Sequence, residues 1–251
     1  MRLSGAVLCL IAAVPVRAGV PAKAKPGARI TLPAVAASTA AFAYSSTSPL
    51  TVDGVLAHFE RIDAAMVSLS ARFSQSMTMA ETGVTSRVEG TVAYKKADRL
   101  RIEHLLPERQ TVVSDGKDIW IHRHDRQQVV QSALADWKKA DPAVANLMEF
   151  GSYGRMLKAY DVSLDTSAAH PALVLTPKAA DASGRDFSMR LSLDPKTLFP
   201  ENTDLKVGSL TVRTAFSTLR FNPILDDKSF VFTPPADADV FRDFKPPKFE
   251  P

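Results

Sequence analysis

The chain has 251 residues, of which 45% are hydrophobic and 23% are charged. This is the balance of an ordinary globular protein, so the composition excludes a disordered or fibrous chain. Its formal charge of +4 comes from the first 50 residues, which hold five basic residues and no acidic one. Removing these five from the 31 basic residues leaves 26 against 27 acidic residues. The remainder lacks the basic excess typical of nucleic-acid binding, so no nucleic-acid partner is expected.

The N-terminus has the pattern of a secretory signal peptide. Arg2 precedes a hydrophobic stretch at residues 6–14, and small residues follow it. The stretch is shorter than the roughly 20 residues that a membrane-spanning helix needs. We therefore predict a signal peptide at residues 1–18, with cleavage after Ala18 or as late as Ala43, and a periplasmic location.

Residues 19–50 are rich in Ala, Pro, Ser and Thr, which predicts a low-complexity leader that is either removed or kept as a flexible tether. The only cysteine is Cys9, inside the predicted signal peptide. The mature chain is therefore expected to have neither a disulfide nor thiol chemistry.

A helical pattern begins at Thr51. Apolar residues recur at the spacing of one helix face, and Thr51 or Asp53 is a suitable N-cap. The pattern predicts an amphipathic helix whose apolar stripe needs a surface to cover, and the stripe consists of Val55, Leu56, Phe59, Ile62, Met66 and Leu69.

Strand patterns follow the helix. Asp115-Gly116 lies between two β-branched runs and predicts a hairpin, because its turn needs positive φ angles. Asp194-Pro195-Lys196 predicts a later turn. The predicted strands lie at residues 73–79, 88–94, 99–104, 111–113, 119–121, 128–131, 160–164, 173–176, 187–193, 202–207, 210–221 and 230–232.

A helical insertion interrupts the strands. Asp141-Pro142 has the pattern of an N-cap followed by proline at the first helical position. Gly151 and Gly154 then divide the apolar residues of 143–157 into two short helices.

The pattern as a whole predicts a mainly β protein of about 10–11 sequential antiparallel strands, in a strongly curved sheet or barrel. The leading helix and the insertion would cover the concave side and enclose a hydrophobic pocket. For any one residue, ordinary core packing is the alternative interpretation. The candidate pocket residues are Phe73, Tyr94, Leu100, Ile102, Trp120, Met148, Phe150, Tyr153, Met156 and Leu157.

Little in the chain predicts catalysis. His122 and His124 would share one face of a strand, and with His104 they would offer three imidazoles to a metal. The alternative is that His124 ends the strand in an exposed turn, because Asp125-Arg126 follows it. Since the chain also lacks a glycine-flanked serine and a phosphate-binding glycine loop, we predict no enzyme, no cofactor and no metal.

Five blocks of sequence resemble the LolA family of periplasmic carriers of outer-membrane lipoproteins. They are VVSDGKDIW at 112–120, GTVAYKK at 90–96, Pro107, LVLTPK at 173–178 and FVFTPP at 230–235, in the order of the family. The resemblance implies that residues 51–251 form a single lipid-binding domain, an unclosed antiparallel β-barrel with a helical lid.

The resemblance also implies the function. The interior would bind the acyl chains of lipoproteins released by an inner-membrane LolCDE-type complex and pass them to an outer-membrane LolB-type acceptor. We expect the carrier to be a monomer. The alternative is a lipoprotein-sensing regulator or scaffold with the same fold.

One departure from the family concerns the lid. The family usually has Arg-Pro after the second strand, and that arginine bonds to the lid. Here the pair is Lys96-Ala97, and lysine is a point donor without the planar guanidinium fork. Lys96 is the predicted lid latch, with Arg99 as a possible substitute.

Overall fold

A computed structural model describes residues 42–45, 49–140, 160–178 and 187–244. Two helices and twelve strands occur in these ranges. In chain order they are α1 (Val52–Ala65), β1 (Ser68–Met79), β2 (Thr85–Lys95), β3 (Arg99–Leu106), β4 (Gln110–Asp115), β5 (Asp118–Arg123), β6 (Gln128–Ala133), α2 (Leu134–Ala140), β7 (Tyr160–Asp165), β8 (Ala172–Pro177), β9 (Phe187–Leu193), β10 (Pro200–Val207), β11 (Leu210–Phe221) and β12 (Asp239–Phe241).

All twelve strands belong to one unclosed sheet, in the order β12-β6-β5-β4-β3-β2-β1-β11-β10-β9-β8-β7. Each pairing is antiparallel except that of β12 with β6, which is parallel. The longest strands, β1 and β11, have 12 residues each and pair with one another. The predicted mainly β class and open sheet are confirmed, although the sheet has twelve strands rather than 10–11.

Helix α1 forms where the apolar spacing predicts it. The Thr51 hydroxyl accepts a hydrogen bond from the Gly54 N–H at 3.1 Å, which caps the first turn. The buried residues Val55, Phe59 and Ile62 lie one turn apart and face the sheet. Met66 and Leu69, predicted as part of the helical stripe, instead follow the helix, and Leu69 belongs to β1.

The predicted hairpin and turn are both present. Gly116 has a φ of +98° between β4 and β5, and the Asp115 carboxylate accepts the Lys117 and Asp118 N–H groups at 2.8 Å. The Asp194 carboxylate similarly accepts the Lys196 N–H at 3.0 Å ahead of β10. Carboxylates that satisfy turn N–H groups explain why both positions are aspartate.

The C-terminal segment corrects one prediction. Residues 230–232 do not form a strand: a 3-10 turn covers Asp227–Phe230, and the chain then extends to β12. The Asp227 carboxylate accepts hydrogen bonds from Lys95 and Arg99, each at 2.6 Å, and so ties this segment to β2 and β3. Phe230 is buried.

The hydrophobic core lies on one face of the sheet, between the sheet and α1. We call this the inner face; it carries Leu69, Tyr94, Leu100, Ile119 and Leu205, among others. The other side of β3–β6 is the outer face, which the C-terminal segment covers. No helix within the described ranges is long and apolar enough to cross a membrane.

Helix α2 was not predicted. It starts directly after β6, and its Trp137 joins the core. The predicted helices in 143–157, with Met148, Phe150, Tyr153, Met156 and Leu157, lie outside the described residues.

Candidate functional site

Four apolar side chains form a continuous row across the inner face. Phe221 of β11 pairs with Leu69 of β1, Leu69 pairs with Tyr94 of β2, and Tyr94 pairs with Leu100 of β3. Directly paired residues point to the same face, with Cβ atoms about 5 Å apart. The row, named here the inner row, therefore spans roughly 15 Å across four strands and includes two of the predicted pocket residues.

Phe73 and Ile102, also predicted as pocket residues, lie on the same face. The Phe73 ring packs edge-on against His104, with centroids 5.9 Å apart, and Ile102 is buried in the same core. Gly90 pairs with both Phe73 and His104. A Cβ atom at Gly90 would lie 2.2 Å from the Glu103 carbonyl oxygen and 2.7 Å from Phe73 Cζ, so only glycine leaves room for this ring.

Helix α1 forms the roof of the inner face. Its buried residues share one apolar cluster with the inner row. Polar contacts hold the middle and the C-terminal end of the helix: His58 Nε2 lies 2.8 Å from the Thr197 carbonyl oxygen, and the Asn222 amide donates to the Ala65 carbonyl at 3.0 Å. Burial lowers the pKa of His58, which favours the neutral ring.

The two predicted latch residues contact different segments. Lys96 Nζ donates a hydrogen bond to the Asp63 carbonyl oxygen at 2.6 Å, in the last turn of α1. Arg99 donates instead to Asp227 of the C-terminal segment. Lys96 therefore contacts α1 and Arg99 contacts the C-terminal segment, whereas the predicted helical lid insertion at 143–157, on which either residue would act as a latch, lies outside the described residues.

Trp120 is separated from the other pocket candidates. Its neighbours Ile119 and Ile121 belong to the inner core, and successive side chains of a strand point to opposite faces. The Trp120 ring accordingly lies on the outer face, 6.4 Å from the ring of Phe232. Its prediction as a pocket residue is corrected: it anchors the C-terminal segment.

The three histidines also divide between the faces. His104 lies on the inner face, whereas the rings of His122 and His124 lie together on the outer side, 4.0 Å apart. Among the described residues, no group of three His, Cys, Asp or Glu side chains is placed to hold a metal ion. The three imidazoles therefore do not form one ligand set.

Burial lowers the pKa values of His122 and His124. For His122, the nearby Asp237 and Glu103 carboxylates oppose this effect; for His124, the adjacent His122 and Arg109 add to it. The His124 Nε2 lies 2.8 Å from the Thr111 hydroxyl, which donates to Glu103 at 2.6 Å. The lowered pKa values favour the neutral form of both rings, and the His122 ring lies 5.9 Å from the Phe232 ring of the C-terminal segment.

A pH dependence of stability follows from this pair. Because the folded-state pKa values lie below about 6.5, the unfolded chain binds protons first as the pH falls. The free energy of unfolding is thus highest with respect to these two rings at pH 7.5, and it falls progressively below about pH 6.5. Urea unfolding at pH 7.5 and 5.5 should show this loss, and the H122Q/H124Q double variant should lose less. An equal loss in both proteins would contradict the assignment.

Several core aromatic residues next to the inner row were not predicted as site residues. Phe221 stacks on Phe42 with ring centroids 4.4 Å apart, and Phe199 packs edge-on against Phe221 at 5.0 Å. Phe42 falls in the predicted leader, but the structure packs it against the domain. The apolar run at 41–44 is the sequence feature that could have predicted this packing, although such a run also fits a signal-peptide cleavage region.

Within the described ranges, helix α1 covers the apolar inner face of an open sheet, which places the molecule in the mainly β class. The chain belongs to the LolA family: the model described as outer membrane lipoprotein carrier protein LolA matches residues 64–233. Members of this family are binding and transport proteins rather than enzymes, which confirms the prediction of no enzyme.

Two relatives by sequence agree with this assignment. The chain is 32% identical over 174 residues to an outer-membrane lipoprotein carrier protein of Dechloromonas aromatica, covering 69% of this chain and 80% of that protein. It is 32% identical over 178 residues to one of Xanthomonas campestris, covering 70% and 82%. A crystal structure of a LolA superfamily protein from Nitrosomonas europaea superposes with a TM-score of 0.46 at 14% identity, covering 73% and 99%.

Proposed function

We propose that this protein is a periplasmic carrier that binds the acyl chains of lipoproteins between α1 and the inner face and moves them from the inner to the outer membrane. Residues 1–18 would direct its export. The inner-membrane donor would be a LolCDE-type complex and the outer-membrane acceptor a LolB-type protein. Membership of the LolA family supports this proposal.

The observation that carries the proposal is the inner row beneath α1. Phe221, Leu69, Tyr94 and Leu100 are each at most 3% exposed, and α1 covers the same cluster with Phe59 and Ile62. An acyl chain that displaced α1 from this surface would replace one apolar contact with another. Burial of the chain contributes about 0.8 kcal/mol per CH₂ group, which offsets the cost of moving the helix.

Opening requires few polar contacts to break. The bond from Lys96 to the Asp63 carbonyl is exposed, and a bond of this kind contributes about 1 kcal/mol. Movement of α1 would also break the contacts of His58 with the Thr197 carbonyl and of Asn222 with the Ala65 carbonyl. Because mainly apolar contacts hold α1 on the inner face, an apolar ligand can replace these contacts.

Binding of acyl chains tests the proposal directly. The mature protein, purified from the periplasm of its host, should carry lipoprotein or lipid detectable by mass spectrometry. Once delipidated, it should bind a fluorescent fatty acid in a saturable manner. If the protein carries neither ligand and does not bind the probe, the carrier function is wrong.

Lys96→Leu tests the latch. The Lys96 bond stabilises the closed, empty state, so its loss should favour the open, loaded state and slow release of lipoprotein to an acceptor about fivefold, the equivalent of about 1 kcal/mol. Release is measured by transfer to acceptor-containing outer-membrane vesicles. Lys117→Leu, the same change in the exposed β4–β5 hairpin, is the control. Equal transfer rates for K96L and K117L would show that Lys96 is no latch.

A further inference from the structure

The chain ahead of α1 places an aromatic ring at one end of the inner row. Phe42 is 1% exposed, and its ring stacks on Phe221 with an angle of 16° between the planes. Phe221 is the first member of the inner row, and Phe199 packs against its edge. Phe42 therefore occupies apolar space that is continuous with the row from Phe221 to Leu100.

A second contact holds this segment in place. The Tyr44 N–H donates to the Lys196 carbonyl at 2.7 Å, and the Tyr44 ring packs edge-on against His58 with centroids 5.2 Å apart. His58 belongs to α1 and contacts the Thr197 carbonyl. The segment thus contacts both helix α1 and the turn before β10.

We propose that Phe42 is an internal, displaceable occupant of the acyl-binding surface: its ring fills the Phe221 end of the inner row in the empty protein, and an acyl chain competes with it. This inference rests on the proposed function. It requires that Phe42 remain in the mature protein, and therefore that cleavage of the signal peptide occur upstream of it, as at Ala18 and not at Ala43.

The chemistry favours exchange of this ring over exchange of a strand residue. Phe42 lies outside the sheet, and its segment is held by the hydrogen bond from the Tyr44 N–H, a hydrogen bond between the Phe42 backbone and the His58 ring, and two ring contacts. Leu69 and Tyr94 are fixed in paired strands. An aromatic ring and an alkyl chain both gain from leaving water, so either can cover Phe221.

Competition predicts the effect of removing the ring. Delipidated Phe42→Ala protein should bind a fluorescent fatty acid about tenfold more tightly than the unchanged protein, because the acyl chain no longer displaces a buried side chain. Phe230→Ala is the matched control: it removes an equally buried ring from the C-terminal segment and should leave the affinity unchanged. Circular dichroism and thermal melts establish that both variants are folded.

The outcomes separate the two proposals. If the unchanged protein binds the fatty acid but F42A binds it equally or more weakly, Phe42 is an ordinary core residue and this inference is wrong. If F42A does not fold, Phe42→Leu, which shortens the occupant but keeps the packing, should still bind more tightly, and equal affinity would overturn the inference. If neither the unchanged protein nor the variant binds, the proposed function fails with it. An intact mass showing that the exported protein begins after Ala43 would also overturn it.

Discussion

Replacing Gly90 by alanine should lower the free energy of unfolding by about 3 kcal/mol, among the larger effects expected of a single methyl group. The added Cβ would lie 2.2 Å from the Glu103 carbonyl oxygen, a main-chain atom held by the pairing of β2 with β3. It would also lie 2.7 Å from Phe73 Cζ. Relief therefore requires these two strands to separate and the Phe73 ring to move. Urea unfolding measures the loss.

Gly83→Ala is the matched control for Gly90. Gly83 has a φ of +66° in the turn between β1 and β2, and no atom lies within 4 Å of the position of its Cβ. Its substitution should lower the free energy of unfolding by about 1 kcal/mol, because alanine is strained at a positive φ. If the two variants lost equal stability, crowding between β2, β3 and Phe73 would not be the reason that position 90 is glycine.

Phe59→Ala should remove the main apolar anchor of α1 and lower the free energy of unfolding by about 3–5 kcal/mol. The Phe59 side chain is fully buried at 0% exposure between α1 and the inner face. Hydrogen exchange should also quicken in α1 more than in β1, because the roof loses its largest contact while the sheet keeps its pairing. Chemical denaturation and exchange mass spectrometry measure the two effects.

Leu56→Ala is the control on the same helix. Leu56 is only partly buried, at the edge of the core, so its loss should cost about 1 kcal/mol. A Phe59→Ala variant no less stable than Leu56→Ala would mean that α1 is not held to the sheet by Phe59.

Local patterns predicted the elements that local chemistry decides. The Thr51 cap and the apolar spacing of α1 involve residues within a few turns, and the Asp115-Gly116 hairpin depends on one positive φ and one carboxylate. Phe73, Tyr94, Leu100 and Ile102 lie on one face of adjacent strands, as alternation predicts, and their role in ligand binding stays a prediction. These parts of the fold, and the face on which the candidate site lies, were therefore accessible from sequence.

The errors have a shared physical cause: segments far away in the sequence pack on the sheet and bury residues that would otherwise be exposed. Ile119, Trp120 and Ile121 are apolar in succession, and alternation cannot say which face is the inner one when the C-terminal segment also buries the outer face. Phe230 and Phe232 alternate like a strand because that segment packs one side of an extended chain on the sheet. Phe42 depends on Phe221, 179 positions later in the chain. An alternating pattern shows that one side of a segment is buried, and it does not show whether the segment pairs with a strand.

The parallel strand β12 has a consequence for solubility. An open sheet ends in a row of unpaired N–H and C=O groups, a template on which another chain can add. At the β6 end, Asp239–Phe241 occupies that template, and its three residues give an incoming chain too short a ladder to extend. Strand β12 therefore leaves little free edge at the β6 end of the open sheet on which a second molecule could add a strand.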